Sequence, residues 1–187
     1  MKAALIDFRD SFTFNIAHYL EGGGVDVTVY DHLDLDVDCL KDMDLIVLSP
    51  GPGLPQEKPV LNLILQQYFS LKPFLGICLG MQGIVNYFGG HIYNQKKVKH
   101  GVQSTMKIAE HDLIFKDVPL KSQVGLYHSW ACCLNEGSDL IPLAYSEDGI
   151  LMAVRHRSLP IYGLQFHPES VLTEFGRRII QNFVQNI

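Results

Sequence analysis

Four cysteines in 187 residues are too few for a disulfide framework, and Cys39, Cys78, Cys132 and Cys133 show no metal-ligand spacing. Long apolar runs are missing as well. Although 47% of the residues are hydrophobic, no stretch approaches the ~18 residues that a membrane span requires. Nor is there a basic excess: 15 lysines and arginines stand against 20 acids, and the net charge is −5. An acidic stretch from Asp31 to Asp44 reads as a solvated loop. Nucleic-acid binding wants a basic face, so that class is disfavoured. The opening segment, Met1 to Asp7, places an acid where a secretory signal would continue its apolar region. No internal repeat or low-complexity linker is present. The expectation is a soluble, cytoplasmic protein, residues 1–187 forming one domain with a sizeable core.

What is present is an alternation of strand and helix. Residues 3–6 read as a first strand. A helix starting at Asp10-Ser11 carries Phe12, Ile16, Tyr19 and Leu20 on one face, and Gly22 to Gly24 stop it. Residues 25–30 and 45–48 read as the next strands. Pro59 opens a helix to about Phe69, with Leu61, Ile64, Leu65 and Tyr68 inward, and 74–77 is a short buried strand. This order predicts an α/β fold, an open and mostly parallel sheet with helices on both faces. After Gly89-Gly90 come short alternating segments at 104–109, 140–146, 150–156 and 161–166, with Glu147-Asp148-Gly149 as a hairpin loop. They predict an antiparallel strand insertion, and Cys132 and Cys133 read as packing residues on a strand. A last amphipathic helix carries Phe175, Ile179, Ile180, Phe183 and Val184. In such sheets the site lies at the carboxyl ends of the strands.

Three segments carry chemistry. The first is Cys78, between Gly76 and Gly80, where a strand turns sharply into a helix as in a nucleophile elbow. Glycines suit so crowded a bend and can take φ > 0. The helix N-terminus favours thiolate over thiol. The plainer alternative is a buried core thiol. The second is Ser49-Pro50-Gly51-Pro52-Gly53, which is either a surface turn or half of an oxyanion hole whose other half is the N–H of Leu79. The third is Gln165-Phe166-His167-Pro168-Glu169-Ser170. Here His167 is a candidate base for the thiol, and Glu169, on the same face of an extended segment, a candidate to orient it. Tyr127-His128-Ser129-Trp130 reads as a strand-end segment, in which His128 could compete as base but has no acid placed to orient it.

Together Gly76 to Gln82, Ser49 to Gly53 and Gln165 to Ser170 resemble a class I (triad) glutamine amidotransferase domain, and the similarity spans the chain. Asp10 to Asn15, His100-Gly101 and Tyr127 to Ser129 resemble the branch that serves chorismate, component II of anthranilate synthase and of aminodeoxychorismate (para-aminobenzoate) synthase. The resemblance implies that Cys78 attacks the side-chain amide of L-glutamine, His167 shuttles protons and Glu169 orients His167. It implies glutamine binding by Gly51, Pro52, Gly53 and Gln82 and by backbone groups at Ser129 and Trp130, with no metal and no cofactor in this subunit. It also implies a partner, a chorismate-binding synthase component I that receives ammonia through a water-poor passage and makes anthranilate or 4-amino-4-deoxychorismate. Met81 stands where this branch usually has histidine, Arg9 and Phe14 vary its opening motif, and Trp130 replaces a residue that is often leucine. The Trp130 side chain is expected to alter fit to the partner more than chemistry. Three rival readings are a free-standing cysteine hydrolase on another amide or ester, a glutaminase subunit of a different synthetase, and an interaction subunit with a silent site.

Overall fold

The computed structural model describes residues 1–187, with side chains described for all but 96–98. Strand β1 (Lys2–Asp7) buries four residues in a row, and successive ones enter different cores, Ala3 and Leu5 on one face and Ala4 and Ile6 on the other. A strand buried on both faces has no polar side, which is why its sequence runs apolar instead of alternating. Strands β3 (Leu45–Leu48) and β4 (Phe74–Ile77) are buried throughout in the same way. Helices α1 (Thr13–Glu21) and α4 (Gly176–Gln185) cover the first face through Ile16, Ala17, Leu20, Ile179, Ile180 and Phe183. Helices α2 (Pro59–Tyr68) and α3 (Leu79–Tyr87) cover the second through Leu61, Ile64, Leu65, Ile84 and Val85. Each of these side chains other than Ala17 contributes about 1.5–3 kcal/mol of burial.

The remaining strands are β2 (Asp26–Asp31), β5 (His91–Ile108), β6 (Lys121–Cys133), β7 (Leu140–Ser146), β8 (Leu151–His156) and β9 (Ile161–Leu164). The nine strands form one sheet in the order β2-β1-β3-β4-β9-β8-β7-β5-β6. The first five run parallel, and β8, β7, β5 and β6 add on antiparallel. The α/β sheet with an antiparallel insertion is therefore observed, but the insertion is larger than the sequence suggested. Residues 104–108 belong to an 18-residue strand, with Ala109 just beyond its end, and of β6 only Tyr127 to Trp130 and the two cysteines were expected at or on a strand. Tyr127 to Trp130 accordingly lie inside β6, not at a strand end. The register of β5 on β6 shifts between Asn94 and Lys99 and again between His100 and Val102, and bulges of this kind hide a strand's period.

Helix α1 begins at Thr13, three residues later than expected. Asp7 is the cause: its Oδ1 accepts bonds from the Arg9 N–H at 2.8 Å and the Thr13 hydroxyl at 2.7 Å, holding residues 8–12 as a loop. Phe12 thereby leaves the helix face and joins the functional site. In the acidic stretch a 3-10 helix, Val37–Asp42, buries Leu40, while most of its neighbours stay exposed. Among the described residues no helix is long and apolar enough to cross a membrane.

Candidate active site

Four parallel strands, β1, β3, β4 and β9, deliver their carboxyl ends to one place. The loops that follow them carry Phe12, the 49–53 turn, Cys78 and the 165–170 segment. Packing at the turn after β4 is tight. A Cβ on Gly76 would lie 2.5 Å from the Gly80 carbonyl carbon, and one on Gly80 would run into the Leu48 carbonyl oxygen and lie 2.7 Å from its Cβ. These glycines allow α3 to start against β3 and β4. The unusual backbone conformation belongs to Cys78 itself, with φ 51° and ψ −101°, and neither glycine has positive φ. A cysteine held there is strained by about 1–3 kcal/mol, a conformation that persists only where the surroundings over-determine it. Gly80→Ala should cost roughly 2–3 kcal/mol, because the chains it would push apart are buried backbone. Urea unfolding checks this; a midpoint equal to the wild-type value would contradict the packing account.

His167 meets Cys78 from β9. Its Nδ1 is 2.7 Å from Glu169 Oε1, and both side chains are buried. Burial by itself would push the imidazole pKa down. Hydrogen bonding to Cys78 and to Glu169, with the charges of both, outweighs burial and holds it above its ordinary value. The sulfur contact is not aligned as a conventional bond, since Nε2 has no partner of good geometry. Base–nucleophile pairs commonly stand this loosely until substrate aligns them. Three supports fix the segment: the His167 N–H donates to the Gly125 carbonyl at 3.1 Å, the Thr173 hydroxyl donates to the His167 carbonyl at 2.6 Å, and the Gly125 N–H donates to Thr173 Oγ1 at 2.9 Å. Aromatic rings wall the imidazole, Tyr127 at 4.8 Å and Phe12 at 5.6 Å between centroids.

The 49–53 turn is anchored at its first residue. Ser49 Oγ accepts the Phe8 N–H at 2.9 Å and donates to the Pro50 carbonyl at 2.6 Å. Gly51 is pressed so close that a Cβ there would meet Leu79 Cδ2 at 2.9 Å, so this turn borders the first residue of α3. Leu79 is in the first helical turn, whose N–H groups lack intrahelical partners. Gly51, Pro52, Gly53, Cys78, Gln82 and Tyr127 to Trp130 line a cavity of about 190 Å³. At ~30 Å³ per water that is room for about six waters, the scale of a free amino acid. Gln82 Nε2 donates to the Trp130 carbonyl at 3.1 Å, tying α3 to β6 across the cavity floor.

The structure thus brings together Cys78, His167, Glu169, Gly51, Pro52, Gly53, Gln82, Ser129 and Trp130, and Leu79 through its contact with the turn. His128 does not compete as base. Burial lowers its pKa to about 4, and its Nδ1 is 2.8 Å from the Trp130 carbonyl with no carboxylate behind it. Met81 packs in the core against Gly163, and the side chains of Arg9, paired with Asp31 at 3.0 Å, and Phe14 are largely exposed. Sequence reasoning missed Phe12 and Tyr127 as walls of the imidazole, and it missed Gln165, whose Nε2 lies 3.7 Å from Cys78 Sγ. No three His, Cys, Asp or Glu side chains among the described residues come together as a metal site.

The glutamine amidotransferase class-I family matches residues 4–187. Anthranilate synthase component 2 of Lactococcus lactis is 39% identical over 191 residues, covering 98% of this chain and 93% of that one. Aminodeoxychorismate/anthranilate synthase component 2 of Bacillus subtilis is 33% identical over 190 residues, covering 97% and 94%. A solved structure from Thermoplasma acidophilum, provisionally described as part of a GMP synthase, superimposes with a TM-score of 0.89 at 28% identity, covering 99% of this chain and 92% of that one.

Proposed function

The chain belongs to the class I glutamine amidotransferase family, and from that premise we propose that Cys78, His167 and Glu169 hydrolyse L-glutamine and that the ammonia passes to a chorismate-aminating synthase subunit. The observation that carries the reading is a buried His167–Glu169 pair bonded at 2.7 Å beside a cysteine in strained φ, at a cavity of amino-acid size. The sulfur of Cys78 attacks the side-chain carbonyl carbon of glutamine. The oxygen that gains charge is placed for the Leu79 N–H and the 51–53 turn. His167, held protonated by Glu169, gives its proton to the departing nitrogen, which leaves as ammonia, and a glutamyl thioester remains on Cys78. His167, now neutral, takes a proton from water; the hydroxide adds to the thioester, glutamate departs, and the thiolate–imidazolium pair is restored.

The two component 2 relatives, each matched over nearly its full length, favour a chorismate acceptor. We propose a heteromer with a chorismate-binding component I and, as product, anthranilate or 4-amino-4-deoxychorismate. The test is reconstitution: the chain is mixed with component I of either kind, chorismate and glutamine labelled with ¹⁵N in the side-chain amide. Label is expected in the aminated chorismate product. Label reaching only a nucleotide acceptor, supplied with the catalytic component of a GMP synthase, would favour the second reading that the solved neighbour raises.

A further inference from the structure

Gln165 is completely buried one residue beyond the end of β9, and the reaction as written above makes no use of it. A buried primary amide must satisfy both its ends, and which end faces which neighbour follows from the neighbours. The order can be read outward from the Trp130 carbonyl, which can only accept. It therefore takes an N–H of Gln82 Nε2, at 3.1 Å. That same Gln82 nitrogen lies 3.4 Å from the side chain of Gln165, so Gln165 must present its oxygen there, since two amide nitrogens would face each other as donors. With Oε1 committed to Gln82, Nε2 is turned to Cys78 Sγ, at 3.7 Å. The backbone cannot swing away, because the Gln165 N–H is tied to the Met152 carbonyl at 2.8 Å.

We propose that Gln165 is a further catalytic group, an N–H donor to the nucleophilic sulfur whose polarity is set by the relay Trp130 carbonyl, Gln82 amide, Gln165 amide. This rests on Cys78 being the nucleophile. A hydrogen bond to the charged form of an acid favours ionisation. The sulfur is negative before attack and again when the thioester breaks down, and neutral in between, so the donor favours the resting thiolate and its release as leaving group. His167 stabilises the same thiolate by charge; Gln165 does so with a neutral dipole that keeps its hydrogens at every stage. The relay also makes Gln82, which lines the cavity, responsible for the orientation of a group it touches on the side away from solvent.

The test is the pH dependence of Cys78 alkylation by iodoacetamide, read at that residue by peptide mass spectrometry because Cys39 and Cys133 are exposed. In Gln165→Met, which keeps volume and removes the donor, the pH of half-maximal alkylation should rise by about one unit, the scale of a hydrogen bond to a charged group. In Gln165→Glu, which sets a negative charge against the sulfur, it should rise further. Should either variant fail to fold by circular dichroism, Gln82→Leu, which frees the Gln165 amide to turn over, should raise the same midpoint. A midpoint unchanged in the folded variants overturns the proposal, whatever happens to their stability. If wild-type Cys78 itself resists alkylation across the range, the nucleophile assignment fails first.

Discussion

In Cys78→Ala, glutamine-dependent amination by the reconstituted heteromer falls by about 10⁴-fold or more, the loss typical when one member of a catalytic relay is removed. Synthesis supported by added ammonium salt is retained, because the acceptor chemistry belongs to the partner subunit. The separation follows from the layout of the site. In the proposed reaction the sulfur takes the acyl group, and no second thiol is placed to replace it: Cys132 is buried in the α2–α3 core, where burial pushes its thiol pKa up. The substitution disturbs little else. Alanine removes one sulfur atom from a side chain that is already small, and the positive φ at position 78 is strained for either residue. Parallel assays with glutamine and with ammonium check the result. Loss of both activities with the heteromer intact would contradict a role for Cys78 confined to releasing ammonia from glutamine.

Glu169→Gln gives the second large effect. The replacement preserves shape but not charge, and an amide can present its N–H as readily as its oxygen to His167 Nδ1. A triad whose orienting carboxylate becomes an amide loses about 10⁴ in kcat through the wrong tautomer, and a comparable fall is expected here. The His167 pKa should fall too. In the wild type it is raised above its ordinary 6.5. The stability it contributes is therefore complete below that value and is lost as pH rises through the folded-state pKa. In the Glu169→Gln variant the loss starts from the same unfolded-state value but is smaller and complete at lower pH, since burial, which lowers the folded-state pKa, is opposed by Cys78 alone. Titration of the His167 ring by NMR, with kcat measured over the same pH range, reads both effects. An unchanged ring pKa with near-normal kcat would show that Glu169 is structural.

The parallel half of the fold was legible because β1, β3 and β4 are apolar on both faces and are separated by helices with clear inward stripes. The antiparallel half was not. In β5 the bulges near Asn94 and His100 interrupt the two-residue period, and β6 mixes buried Gly125, Leu126 and His128 with half-buried Tyr127 and Ser129 because one stretch of it is cavity wall. At the site, Cys78, His167 and Glu169 announced themselves by residue type and spacing. Gln165 did not, since a glutamine beside a catalytic motif has no spacing signature and its role depends on which end of its amide faces the sulfur. Phe12 was misplaced into a helix for want of knowing that Asp7 would bind the Thr13 hydroxyl. The glycines flanking Cys78 supply the room that so crowded a bend was expected to need, but the positive φ falls on the cysteine and on neither glycine.

The most direct test of the acyl-transfer account is to mix the heteromer with glutamine carrying ¹³C throughout its chain and ¹⁵N in its amide, quench in acid during turnover, and map the peptides. A ¹³C-glutamyl group lacking the ¹⁵N, attached to Cys78 and removed by mild base, is the predicted result. Glutamate accumulating at the normal rate while Cys78 carries no label at any time would contradict it.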